Sequence, residues 1–278
     1  MLTDMITYRD ISTALSDLGL RRETPAIVHI SLSRIGSVRG GLNAIMGALL
    51  ATVDNVIIPT FTFSTMIIPE EGPPDNNMEY GSGREANLEA KVYAFDLPSD
   101  MTDHEAGDAL RENSYTYRSE HPVFSFVGLG LDVALVSHPV DDPYAPVQYL
   151  RKMGGWVVLM GSEPADNFSI HLAEKNAGRK QFTRLALTQE GIQEVPFFPG
   201  CPQGFRKLDY YLQDELHHTQ VGGRDWQAVR LDTLLDTATA LMKEDAFALL
   251  CNDLHCKRCN IVRDAIRSQY ANYWHTEE

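Results

Sequence analysis

Residues 26–59 constrain the fold more than any other stretch of this chain. Ala26–Ile30 is an apolar strand, and Ser31 to Gly41 is a turn rich in serine and glycine. Residues 42–53 have helical character, and Val56–Pro59 is a second apolar strand. Strand, turn, helix and strand in this order favour two parallel strands joined by a right-handed crossover. The chain is therefore read as α/β. Residues 4–19 predict a helix, because Ile6, Ile11, Leu15 and Leu18 recur at helical spacing before Gly19. Further helices are predicted at 105–112, 167–177, 231–243 and 245–250. Further strands are predicted at 124–127, 156–160, 185–188, 194–198 and 221–229.

Residues 62–100 break this rhythm. Pro69, Pro73, Pro74 and Pro98, with Gly72, Gly81 and Gly83, predict a long surface excursion. Such an excursion over an α/β core is either a lid or binding element, or decoration. There is no repeat or linker, so residues 1–278 read as one domain. No apolar run is long enough to span a bilayer. The first residues lack a basic segment followed by an apolar one, so the expected compartment is the cytosol. The net charge of −14 argues against a nucleic-acid partner. It suits a cationic substrate, and it equally suits plain solubility.

Several groups could carry chemistry. The Ser31–Gly41 turn precedes a helix, where backbone N–H groups can receive phosphate or carbonyl oxygens. Arg34 and Arg39 could pair a ligand's phosphates. The turn matches neither a P-loop nor a dinucleotide fingerprint, and an ordinary tight turn would look similar. His171 and Glu174 lie three apart, on one face of the predicted helix. They could form an imidazole–carboxylate general base or a plain surface pair. His29 ends an apolar strand, where α/β folds bind ligands, though a buried structural histidine fits there too. Cys201, Cys251, Cys256 and Cys259 include one Cys-x2-Cys. Four thiolates would complete a structural zinc site, and reduced buried thiols or a redox pair are the alternatives. No catalytic metal is expected, since no His-Glu-x-x-His helix is present.

Taken in order, these stretches resemble the aminoglycoside 3-N-acetyltransferases, the antibiotic N-acetyltransferase family distinct from the GNAT fold. The resemblance rests on Val28 to Gly36 with Gly40-Gly41, Ile58-Pro59-Thr60-Phe61, and Arg118 to Phe126. It continues through Asp142-Pro143-Tyr144, Ser169 to Glu174, and Cys256-Lys257-Arg258-Cys259 with Arg263. It spans roughly residues 10 to 265.

The resemblance implies a central mixed sheet flanked by helices, with acetyl-CoA as cosubstrate. It implies direct transfer to the 3-amino group of an aminoglycoside's 2-deoxystreptamine ring. His171 and Glu174 become the catalytic base pair, with His29 beside them. Ser31, Leu32, Ser33, Arg34, Val38, Gly40 and Gly41 become coenzyme residues, joined by His121 and Ser125. Glu79, Asp142 and Tyr144 are expected on the acceptor side, where Glu70, Glu71 and Asp75 would also attract a polycation. The expected assembly is a monomer or homodimer, with neither nucleic acid nor membrane as partner. Residues 66–94 depart from the resistance enzymes of the family. That leaves a second reading, an acyl-CoA-dependent N-acyltransferase of a biosynthetic amine. A third, non-catalytic reading is a ligand-binding protein held together by zinc.

Overall fold

A computed structural model describes residues 5–103 and 105–275, with side chains described as far as residue 269. Ten strands occur among them. They are β1 (Ala26–Ile30), β2 (Val56–Pro59), β3 (Met66–Ile67), β4 (Tyr117–Arg118) and β5 (Phe126–Leu129). After these come β6 (Trp156–Met160), β7 (Phe182–Thr188), β8 (Gly191–Phe198), β9 (His217–Val221) and β10 (Arg224–Arg230).

The main sheet has the order β4-β5-β2-β1-β6-β10-β9. Its centre, β2-β1-β6, is parallel, as the opening strand–helix–strand pattern requires. The flanks, β5 on β2 and β10 on β6, are antiparallel. The sheet is therefore mixed. Strands β3, β7 and β8 form a separate antiparallel sheet.

Alternation along the strands divides the core between the two faces. Ile27, Ile57, Val157 and Leu159 belong to one apolar cluster, which includes the helix Leu231–Glu244. Ala26, Val28, Val56, Ile58, Val158 and Met160 belong to the other, which includes the helices Tyr8–Asp17 and Gly41–Thr52. The first of these helices starts at a reciprocal cap: Asp10 N–H donates to Thr7 Oγ1, and Thr7 N–H donates to Asp10 Oδ2.

Three expectations change. Residues 221–229 are not one strand, because Gly222 and Gly223 both take positive φ and turn β9 back into β10. Residues 245–250 are a turn. Leu249 has φ +61, and the carbonyls of Ala246 and Ala248 point to Arg179 instead of closing a helix. A C-terminal helix, Lys257–His275, starts just after Cys256 and carries Cys259 in its first turn. No helix among the described residues is long and apolar enough to cross a membrane.

The 62–100 excursion is mostly irregular, with β3 and the short helix Arg84–Glu89. A fully buried guanidinium ties it down. Arg118 donates to the carbonyls of Phe95, Leu97 and Thr60.

Candidate active site

His171 and Glu174 lie on the short helix Ile170–Asn176, just beyond the C-terminal end of β6. The chain enters this helix through an Asx turn, in which Asn167 Oδ1 accepts from the Ser169 N–H. The three-residue spacing brings the side chains together: His171 Nδ1 and Glu174 Oε2 are 2.6 Å apart. Both residues are buried, at 5% and 2% exposed, so this is no surface pair.

Glu174 Oε1 also accepts from Arg179 Nη1 at 3.1 Å. Burial alone pushes the Glu174 carboxyl up. The charges and hydrogen bonds of His171 and Arg179 outweigh burial and hold it below the usual range. The carboxylate is thus ionised and fixed, which fixes the imidazole plane. With Nδ1 occupied by Glu174, Nε2 is the ring nitrogen available to a ligand.

His171 lines a cleft of about 380 Å³. Its walls are Phe61, Phe63, Phe124, Phe168 and Phe198, with Arg258 at one side and Asp166 at another. A second cavity, about 80 Å³, lies at the C-terminal end of β1 and contains His29, Ser31, Arg34 and Asp103. Asp166 borders both cavities, and it pairs with Arg34 at 2.8 Å.

In the second cavity the glycine-rich turn has its donors in place, but Asp103 occupies them. Its carboxylate accepts from Ser31 Oγ at 2.6 Å, Ser33 N–H at 2.8 Å and Ser33 Oγ at 3.0 Å. Burial pushes the Asp103 carboxyl up, and these three bonds more than reverse it. His29 is buried, and its Nε2 has no partner. Burial lowers its pKa to about 4, with Asp166 partly opposing, so the ring is neutral near pH 7. Gly40 and Gly41 take φ of +87° and +57° at the start of the helix Gly41–Thr52. Only glycine adopts such a pair without strain. Leu32 and Val38 pack against the core on the Tyr8–Asp17 side, so their side chains shape the turn.

Other expected site residues lie elsewhere. His121 is fully buried, and its Nδ1 accepts the N–H groups of Val123 and Phe124. Ser125 is fully buried between Arg118 Nε and the Thr60 carbonyl. Neither lines the His29 cavity; Ser125 belongs to the Arg118 hub, and His121 packs against the rings of Phe124 and His138. Tyr144 is fully buried, stacked on Phe168, with its hydroxyl donating to the Phe197 carbonyl. It backs the cleft wall instead of facing an acceptor. Asp142 is taken by Lys175 at 3.0 Å and by Gln148 at 2.7 Å. Glu79 is exposed in a separate groove against the C-terminal helix, near Lys257 and Asp264.

Arg179, Asp166, Asp103 and Arg258 were not anticipated as site residues. Arg179 had a legible signal, a cation five residues beyond a buried carboxylate and just past Gly178. The other three are brought in only by tertiary packing.

Comparison with known proteins bears on the family and the fold. The family model described as aminoglycoside 3-N-acetyltransferase matches residues 27–243. Aminoglycoside N(3)-acetyltransferase IX of Micromonospora chalcea is 32% identical over 181 residues, covering 61% of this chain and 62% of that protein. The match thus spans about three-fifths of the length of such curated relatives. The crystal structure of YokD from Bacillus subtilis superposes with a TM-score of 0.73 at 21% identity, covering 87% of this chain and 95% of that one. The AAC-IIIb structure, a binary complex with CoASH, superposes with a TM-score of 0.68 at 20% identity, covering 87% and 97%. At these identities the two structures carry the fold.

Proposed function

We propose, from the premise that this chain belongs to the aminoglycoside 3-N-acetyltransferase family, that it moves an acetyl group from acetyl-CoA to an amine held beside His171. The acceptor of the primary reading is the 3-amino group of an aminoglycoside's 2-deoxystreptamine ring, and the compartment is the cytosol. One observation carries this reading: a buried imidazole–carboxylate pair opens on a cleft that shares Asp166 with the cavity of the glycine-rich turn. Donor and acceptor can therefore meet from two sides. The donor set of the turn fits a coenzyme: a backbone N–H, two hydroxyls and paired positive-φ glycines at a helix start.

The amine attacks in its neutral form, its first proton having gone to solvent because an ammonium has no lone pair, and His171 Nε2 takes the proton that its nitrogen sheds as it adds to the carbonyl. Glu174 keeps the ring oriented and stabilises the imidazolium that forms, and Arg179 keeps Glu174 ionised. Acetyl-CoA, as substrate, supplies the thioester carbonyl. The C–N bond forms first and turns the carbonyl into a tetrahedral oxyanion; its collapse breaks the C–S bond, and the thiol leaves with the proton that His171 returns. Ser33 N–H and the Ser31 hydroxyl are the donors for the developing oxyanion, once Asp103 moves aside. The cysteines take no part as nucleophiles.

The cleft also favours a second reading. Its walls are largely aromatic, and its charges are Asp166, already paired with Arg34, and the cation Arg258. A polycation finds no free carboxylate there. An amine with an apolar or aromatic body, made in a biosynthetic pathway, fits those walls better.

The test is thiol release from acetyl-CoA with gentamicin, neomycin and apramycin, beside simple arylalkylamines. Release with an aminoglycoside, and a product acetylated at N3 by NMR, supports the primary reading. Release with the arylalkylamines alone supports the second. No release with any amine, together with no coenzyme binding by calorimetry, overturns both.

A further inference from the structure

The four cysteines lie outside the chemistry described above, yet sequence neighbours of two of them, Gly200 and Arg258, line its cleft. Cys201 follows β8, Cys251 follows the 245–250 turn, and Cys256 and Cys259 flank the start of the helix Lys257–His275. Residues from three separate stretches thus converge, with all four Sγ atoms within 4.8 Å of one another. Zinc–thiolate bonds of about 2.3 Å place tetrahedral sulfurs roughly 3.8 Å apart, so small adjustments close this set around one ion. All four thiols are free, so no disulfide competes.

Two further observations point the same way. The apolar cluster under the last helix is small: Leu250, Val262 and Ile266 with Cys251 and Cys259. Segments with so little core rely on a cross-link or metal. Three cations also surround the cluster, each bonded to a carbonyl of a cysteine or its neighbour. Arg258 donates to Gly200, Lys207 to Leu250, and Arg263 to Cys251. A zinc ion with four thiolates carries a net charge of −2, and these cations balance it.

We propose that Cys201, Cys251, Cys256 and Cys259 bind one structural zinc ion that sets the Arg258 wall of the acceptor cleft. The reach to the cleft is short. Gly200 and Arg258, each next in sequence to a ligand, both line the cleft with His171. The Arg258 guanidinium also lies 5.8 Å from the Phe198 ring centroid. Zinc therefore fixes a wall of the cleft that holds the imidazole. The role in acceptor binding rests on the transferase reading; the metal site does not.

The full chain, purified without chelator, is analysed by elemental mass spectrometry, and the reduced apo-protein is titrated with Co(II). One zinc per chain and the visible bands of tetrahedral tetrathiolate Co(II) are expected. Less than about a tenth of an equivalent of any metal, with no such bands on Co(II) addition, overturns the site. Iron in place of zinc overturns the assignment of the metal. Cys256→Ser, checked for folding by circular dichroism, is expected to lose the ion; full retention overturns the four-cysteine ligand set. After zinc removal, the KM for the amine is expected to rise about tenfold while the coenzyme Kd stays within about twofold. An unchanged KM overturns the link to the cleft while the metal readouts stand. No turnover with any of the amines and no coenzyme binding by the zinc-loaded chain refutes the transferase reading instead.

Discussion

Three buried histidines make this fold sensitive to mild acid, and the size of the effect follows from the structure. Burial holds His29 at about 4 and His138 at about 3, with Asp166 and Asp142 respectively opposing the fall. An unfolded histidine titrates near 6.5. Between these values the unfolded chain binds a proton that the folded chain refuses. Stability is therefore complete above about pH 6.5 and declines as pH falls toward the folded values. At pH 5 each of the two histidines costs about 2 kcal/mol relative to pH 8, and together about 4 kcal/mol. Burial and the neighbouring His138 ring lower His121 as well, which adds loss of the same sign. Glu174 stays out of this window. Its depressed carboxyl contributes fully above about pH 4.3, and that contribution is lost only as pH falls through its folded value.

Calorimetry at pH 8, 6.5 and 5, at fixed ionic strength, reads this directly. For a chain of this size about 4 kcal/mol corresponds to a Tm lower by on the order of 10 °C. His138→Gln keeps a polar partner for Ser119 and removes one titrating ring. It is expected to recover roughly half of the Tm difference between pH 8 and pH 5. A wild-type Tm flat within about 2 °C over this range would refute the reasoning. It would mean that water or motion solvates these rings in the folded chain.

Three further outcomes concern the site. His171→Ala and Glu174→Gln are each expected to lower kcat/KM by about 10² to 10⁴ while coenzyme binding by calorimetry persists. Arg179→Met removes the cation that helps hold Glu174 ionised, so the acid limb of the rate profile should move to higher pH; an unmoved limb would separate Arg179 from the base. Asp103→Ala frees Ser31 and Ser33, so the coenzyme Kd should tighten about threefold to tenfold, the equivalent of about one ordinary net hydrogen bond; weaker binding would make Asp103 a ligand contact and not a competitor.

How much of this was legible depends on the range over which each feature is encoded. The parallel centre of the sheet was written locally, as apolar β1 and β2 around a glycine-rich turn and a helix. The His171–Glu174 contact was also local, because three residues on a helix fix the distance. The hairpin at Gly222-Gly223 was local as well, since two adjacent glycines are a turn signal inside an otherwise strand-like run. By contrast, no spacing could bring Asp103 to Ser31, 72 residues away in sequence, or Asp166 to Arg34, 132 away. The fate of Arg118 was equally hidden. Nothing near it in sequence says that this cation is sealed against three carbonyls, of Phe95, Leu97 and Thr60.

The histidines show why residue type alone misleads. His29, His121, His138 and His171 are all buried. His121 is spent on backbone N–H groups and His138 on Ser119, and both are desolvated toward the neutral form. Among the four, His171 is the one whose ring nitrogen meets a carboxylate, and that carboxylate is itself pinned by a guanidinium. A neutral ring in an apolar shell resists gaining a proton. A ring backed by a fixed negative charge can take one during a reaction and give it back. The distinction lies in the partner: Glu174 costs the fold a buried charge, Arg179 offsets it, and the pair holds the His171 ring in the orientation that the proposed base role requires.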